Sequence, residues 1–266
     1  MKKILFNKAG FYSLVLGAIV FASSCKKQLP DPTVDPTPEA FVAVHNFTLL
    51  AGTSSSVFVN GSQLSLIGAP VALAVGGTTA GPYIGVDPTS AATIGLRTST
   101  GSANYASRTV TLANKSNTSF FGFDTLTAAG SARMLVLNNN MTAPALGTTN
   151  FRFLHFSPNA GPVNVTLVRT ADQFGVAASG TVSLTNVPYI GASANPDETA
   201  LSAFTNIPAG TYTLTVLSGT TALVGPASVT LREFKNYSIV ARGFTSARAS
   251  IPSGQTLGAT LLLHNP

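Results

Sequence analysis

FTNIPAGTYTLTVLSG, residues 204–219, sets Tyr212, Leu214 and Val216 against Thr211, Thr213 and Thr215. A period of two puts the apolar set on one face of a strand and the hydroxyls on the other. Turn signals bracket it, Ile207-Pro208-Ala209-Gly210 before and Ser218-Gly219 after. FRFLHF, PVNVTLV, TVSL and ALSAF precede this strand, and ASVTL, NYSIVA and ATLLLH follow it. About eight short strands within roughly 110 residues predict an immunoglobulin-like β-sandwich. The chain has one Cys and no Trp, which argues against an antibody-type domain while leaving the sandwich untouched.

Moving outward, the sequence echoes itself. FVAVHNF (41–47) matches FRFLHFS (151–157), with His45 opposite His155. GPYIGV (81–86) matches VPYIGA (187–192), pairing Tyr83 with Tyr189. SRTVTLANKSNTSFF (107–121) matches ASVTLREFKNYSIV (227–240), and LVLNN (135–139) matches LLLHN (261–265). Four echoes in one order predict two tandem immunoglobulin-like sandwiches, 41–140 and 151–266, joined near 141–150. The fold class expected is all-β.

The N-terminus carries a different message. Lys2, Lys3 and Lys8 form a basic region, Phe11 to Ala22 an apolar one, and Ser23-Ser24-Cys25 ends it on small residues and the chain's single thiol. That build is a secretory signal, too short for a confident membrane span. It resembles a bacterial lipoprotein signal, in which the thiol takes lipid before cleavage, although Ala22 stands where such signals usually carry Leu. The expectation is a signal peptide over 1–24, lipidation of Cys25, and attachment to the outer membrane on a face left undecided. The plainer alternative is an ordinary cleaved signal that leaves a free thiol, a liability in an oxidising compartment. Residues 25–40 then form a tether, since Pro30, Pro32, Pro36 and Pro38 favour extended polyproline geometry.

Composition narrows the class. Charged residues are 9% of 266 and hydrophobic ones 45%, which excludes a disordered chain. Three of the 15 basic residues leave with the signal, so the mature excess is 12 minus 9, or +3, and it is scattered. A nucleic-acid footprint would be a clustered stripe, so no nucleic-acid partner is expected.

FRFLHFSPNAGPVNVTL (151–167), FTNIPAGTYTLTVL (204–217) and SVTLREFKNYSIVARG (228–243) resemble the bacterial family called domain of unknown function 4397. Arg152, His155, Ser157, Pro158, Pro208, Gly210 and Tyr212 fit its pattern. The resemblance covers 151–266 and, more loosely, 41–140, where Val42 replaces the arginine and the Pro-Ala-Gly turn is missing. It implies secreted or lipid-anchored proteins, often from Bacteroidetes, and brings no activity.

Candidate chemistry is sparse. His45 and His155 hold matching places in separate domains and are expected to bond their following loops, and His264 sits at a strand end, so no metal site is expected. Asp197-Glu198 is the one adjacent acidic pair, and it lies in a loop, whereas glycosidases need two carboxylates flanking a bond. No Gly-x-Ser-x-Gly elbow or phosphate loop occurs, so neither catalytic residues nor a cofactor are expected. Tyr83 and Tyr189, which follow Pro in matching loops, read as corner residues bonded to nearby backbone, with stacking on a ligand as the alternative. Asp124-Thr125-Leu126 resembles the O-glycosylation signal of Bacteroidetes, which makes Thr125 a candidate for modification, or a plain turn. Candidate binding loops are Ser157-Pro158-Asn159 and the stretch from Tyr189 to Asp197 and Glu198. The leading expectation is a non-catalytic, lipid-anchored envelope module for adhesion, for binding a glycan or protein, or as an accessory to a surface complex. The alternative is a hydrolase of envelope or extracellular polymers.

Overall fold

The computed structural model describes residues 39–265 except 51–53, 67–68, 75–76, 79–82, 89, 99–100, 127–131 and 246–253. Strands dominate. In the first half they are β1 (Ala40–Asn46), β2 (Ser54–Val59), β3 (Ser62–Gln63), β4 (Ser65–Leu66), β5 (Ala69–Pro70), β6 (Ala72–Ala74), β7 (Gly77–Thr78), β8 (Ile84–Val86), β9 (Ala92–Thr98), β10 (Ala106–Val110), β11 (Asn117–Phe123) and β12 (Arg133–Asn138). The second half has β13 (Thr148–Phe156), β14 (Val163–Ala171), β15 (Thr181–Val187), the helix α1 (Glu198–Ser202), β16 (Thr205–Pro208), β17 (Gly210–Ser218), β18 (Thr221–Leu231), β19 (Asn236–Arg242) and β20 (Gly258–Leu263).

Each half builds two main sheets, the first adding the short pair β4-β5, and no described sheet draws strands from both. The second half makes β16-β13-β19-β20 and β15-β14-β17-β18. The first makes β12-β11-β1 with β7 and β8 on the far side of β1, and β10-β9-β2 with β3 and β6 on the far side of β2. In both halves the first strand runs parallel to the seventh principal strand, β1 with β11 and β13 with β19. The connections therefore repeat within a common sandwich architecture. Both halves lie in a single compact unit, Pro38–Pro266.

Three apolar layers separate the four main sheets. One core lies inside the first sandwich around Val42, Val44, Ile94 and Phe120. Another lies inside the second around Phe151, Leu167, Tyr212, Leu214 and Ile239. The third lies between the halves, where Phe47, Phe121, Phe123 and Leu137 meet Leu154, Phe156, Val240 and Leu262. Strand patterns follow from this stack. β17 alternates buried and half-buried residues because its outer face meets water, whereas β11 and β19 are buried almost throughout. Strands covered on both faces lose alternation.

Tyr212, Leu214 and Val216 are each 1% exposed, so the alternating stretch faces the core as its pattern requires. The Tyr212 hydroxyl donates to the Pro208 carbonyl, a tyrosine corner that stitches the turn to its strand. Gly210 sits at φ +156°, and a Cβ there would lie 2.2 Å from the Ala171 carbonyl oxygen, so Pro208-Ala209-Gly210 must end in glycine.

The ladders correct three readings. Asn150 pairs with Asn236 as Phe41 pairs with Asn117, so Val42 corresponds to Phe151, Asn46 to His155, and His45 to Leu154. The echo of FVAVHNF in FRFLHFS is therefore displaced by one residue, and His45 and His155 point to opposite faces of their sheets. By the same count LVLNN is displaced against LLLHN, because the N–H groups of Asn139 and His264 both donate to the first asparagine of the neighbouring strand, Asn117 and Asn236. Tyr83 corresponds to Phe204 instead of Tyr189, since Gly85 pairs with Phe41 where Asn206 pairs with Asn150. The long echo, with Val110-Thr111-Leu112 against Val229-Thr230-Leu231, keeps its register through Asn117 and Asn236.

ALSAF, expected as a strand, is instead the end of α1 and the approach to β16. The Asp197 carboxylate accepts from the N–H groups of Thr199 and Ala200 and so caps a helical turn where β pairing was expected. Leu214→Ala is expected to cost about 2–5 kcal/mol of unfolding free energy, measured by urea titration, because it opens a cavity in a closed core. Val168→Ala, on the wet face of β14, is expected to stay within about 0.5 kcal/mol.

Candidate functional site

The side chains with acid–base capacity converge where the sandwiches meet, and the convergence begins with the sheets' outer faces. Phe156 of β13 stacks on Phe47 at 5.6 Å and Phe123 at 5.2 Å, and lies 5.8 Å from Phe121. Two residue-pairs back along β13, Arg152 enters the same layer at 4% exposure. Its Nε donates to Ser238 Oγ at 2.7 Å, Nη1 to the Ser202 carbonyl at 3.3 Å and Nη2 to Asn139 Oδ1 at 2.7 Å. The guanidinium also lies 4.7 Å from the Phe204 ring. Among the described residues no carboxylate pairs with it, and burial pushes its pKa down to about 10, so it stays charged at neutral pH.

A chain of neutral groups continues from Arg152. Ser238 Oγ accepts from the guanidinium, so its own proton goes to His264 Nε2 at 2.7 Å. His264 is then protonated on Nδ1 and donates to the Tyr83 hydroxyl at 3.0 Å. Asn139 Nδ2 donates to the Tyr83 hydroxyl and to Ser119 Oγ. His45 stacks on Phe121 at 4.8 Å and meets His264 edge-on at 6.4 Å. Neither of its ring nitrogens finds a hydrogen-bond partner among the described residues. Burial, and then the Arg152 charge, push His45 down to about 3 and His264 well below the ordinary histidine range. Tyr83 is raised, chiefly by burial. The group is a dry polar network in which the histidines are neutral.

The second contact is a strap formed by the segment from Tyr189 to Ser202. The Tyr189 hydroxyl donates to Asp124 Oδ1 at 2.8 Å, and Arg133 Nε donates to Asp124 Oδ2 at 2.9 Å. Arg133 also donates to the carbonyls of Ser193 and Gly191. Burial, followed by the Asp124 carboxylate, raises the Tyr189 pKa. Glu198 Oε1 accepts the outward N–H of Val136 on edge strand β12 at 3.1 Å, and its other oxygen lies 3.5 Å from Arg108. α1 thus closes the edge of the first sandwich incompletely. A cleft of about 460 Å³ remains, with Val110, Leu112 and Val136 as apolar wall and Thr118, Asn138, Thr199 and Ser202 as hydroxyl and amide wall.

The structure disperses the residues singled out from sequence. Ser157 is buried and its N–H donates to His155 Nδ1 at 3.3 Å, while His155 Nε2 donates to the Gly161 carbonyl at 2.8 Å. His155 thus bonds its own following loop as expected; His45 does not. Pro158 is half-buried, and Asn159 Oδ1 accepts from the Thr245 N–H. Tyr189, Asp197 and Glu198 lie in the strap, and among the described residues neither the Tyr83 nor the Tyr189 hydroxyl bonds nearby backbone. Thr125 is half-buried; its N–H donates to Asp124 Oδ1, and it forms a parallel bridge to Leu49. Cys25 lies outside the described residues. Sequence reasoning missed Arg152, Asn139 and Ser238 as partners, although FRFLHF and TSFFGF, apolar without alternation, mark strands covered on both faces.

Residues 42–166 match the family described as Domain of unknown function (DUF4397). The match takes in the first half and continues through β13 into β14, where the sequence resemblance had its centre in 151–266. No curated protein matches the chain. A crystal structure described as a "putative cell adhesion protein" from Bacteroides ovatus ATCC 8483 is similar at 10% identity over 86% of this chain and 96% of that one, with a TM-score of 0.20.

Both buried histidines bind fewer protons folded than unfolded, so stability should be full above the unfolded value of about 6.5 and fall as pH drops from there toward 3. Each histidine contributes at most about 1.4 kcal/mol per pH unit. Urea midpoints at pH 7.5, 6 and 4.5 are expected to drop with pH in the parent and to drop less in His45→Phe combined with His264→Asn. Equal slopes would remove the histidines from the account.

Proposed function

We propose that the protein is a non-catalytic, lipid-anchored envelope module that binds a polar ligand in the cleft between its two sandwiches. The observation that carries this reading is how the reactive side chains are spent. His45, His264, Tyr83 and Arg152 are held in the dry layer between the halves, and His155 is bonded at both ring nitrogens to its own loop. The open cleft offers hydroxyls, an amide and apolar wall, and its Glu198 carboxylate already serves Val136 and Arg108. Such a surface is suited to recognition. Duplication of one sandwich unit, supported by the matching strand orders, supplies the two walls, and Cys25 with the proline tether supplies the attachment.

Screening the purified protein against glycan and peptide arrays should find binding that Thr199→Trp, which fills the cleft, abolishes while the urea midpoint is kept. Turnover of a defined substrate that disappears with one substitution would overturn the reading. Intact-mass spectrometry of the membrane fraction is expected to show a chain beginning at Cys25 with acyl chains, and Cys25→Ser should release the protein from that fraction.

A further inference from the structure

We propose that one loop-bearing end of the second sandwich is a lipid-contact surface, with Phe174, Leu146 and Val176 entering the interfacial region of a bilayer. Leu146 and Phe174 are each 81% exposed and Val176 is 63% exposed. Of the seven exposed large apolar side chains among the described residues, these three, Phe234 and Leu263 lie at this end, and the first sandwich contributes none.

Hydrogen bonds bring the loops together. The Ala209 N–H donates to the Gly147 carbonyl at 2.9 Å, and the Phe234 N–H to the Thr148 carbonyl at 3.1 Å. Asn265 Nδ2 donates to the Phe234 carbonyl at 2.7 Å, beside Leu263. The turn after β14 joins the group at Gly210, whose Cβ position lies 3.2 Å from the Asp172 Cα. An exposed apolar group of this kind, with polar residues at its rim, marks a contact surface.

The tip is built to hold its ring in water. Asp172 Oδ1 accepts the N–H groups of both Phe174 (2.8 Å) and Val176 (2.9 Å), and the Asp172 N–H donates to the Val176 carbonyl at 2.8 Å. Gly175, at φ +84°, completes the turn. Folding therefore orders Phe174 without burying it, and forgoes the gain that covering its apolar surface would bring.

Charge and chain length favour lipid as the occupant. The end's two carboxylates turn inward, Asp172 to its own turn and Glu233 to the Gly147 N–H at 3.0 Å. Arg232 and Lys235 flank Glu233 in sequence and make no ion pair among the described residues, leaving cations available to anionic headgroups. Lys26 to Pro38 connects the body to Cys25, and an extended chain of that length reaches roughly 40 Å. The proposal rests on the anchored reading in this respect: a body kept that close to a bilayer meets it at a high effective concentration, so a contact too weak to recruit a free protein is still occupied.

The chain has no tryptophan, so Phe174→Trp gives a single indole reporter, and Thr220→Trp gives its counterpart on the β17–β18 turn at the opposite end. The full chain is reconstituted in vesicles of phosphatidylethanolamine and phosphatidylglycerol, with and without brominated acyl chains. The 174 reporter should be quenched at least threefold by bromine and the 220 reporter hardly at all. In parallel, the Cys25→Ser chain with an N-terminal hexahistidine is held on the same vesicles by nickel-chelating lipid, so tip contact is read whether or not Cys25 is acylated. Loss of vesicle attachment in the first arm with quenching in the second would overturn the anchor and keep the lipid surface. Equal quenching of both reporters, no quenching in the second arm, or a concentration-dependent blue shift of the 174 reporter without lipid would overturn the lipid surface, the last by assigning the tip to a second copy.

Discussion

The structure depends on a sheet face that cannot be left in water. β11 and β12 present Phe121, Phe123, Leu135 and Leu137 on the side away from their own sandwich core, and β13, β19 and β20 answer with Leu154, Phe156, Val240 and Leu262. A sheet in a lone sandwich normally keeps one face polar. Here each half would expose a continuous apolar face if it stood alone, so the pair is the unit that satisfies the hydrophobic effect. The strap from Tyr189 to Ser202 is secondary to this. It crosses to the first half at Asp124, Arg133 and Val136 because the stacked faces have already brought those groups within reach.

This dependence explains what the sequence made legible. The second sandwich could be read because β14 and β17 have one wet face, and alternation between Thr and Tyr, Leu or Val survives there. FRFLHF and TSFFGF have no wet face, and without alternation nothing in them fixes which residue points where. The comparison of FVAVHNF with FRFLHFS aligned two histidines by identity, and identity misled by one position. Asn46 and His155 are the true counterparts, and each accepts the N–H two residues ahead, from Thr48 and Ser157. A shared local bond was the physical signal; it is invisible when residue types differ.

The candidate site was less legible than the fold for a similar reason. Loops 157–159 and 189–198 have the composition of exposed binding loops, yet much of their polar surface is turned to internal bonds. The turn at 172–176 drew no notice because Asp-Gln-Phe-Gly-Val contains no feature that announces exposure of Phe174. Whether a phenylalanine in a turn folds back or stands out depends on the neighbouring loops at 146, 209 and 234, which are distant in sequence.

Arg152 adds something that the carbon contacts around it do not supply. Phenylalanine against leucine is tolerant of position, and two such sheets could slide or rotate past one another with little change in buried area. The guanidinium is not tolerant, because a cation in a dry layer is costly wherever its acceptors are missing. Those acceptors come from three separate elements, β19, the last residue of α1 and the residue just past β12. Ala43 occupies the corresponding place in the first half, so among the described residues the counterpart position adds no second charge to the layer. Misdocking would cost that cation its bond to Asn139 across the layer, which makes Arg152 an alignment key among carbon contacts that select little by themselves.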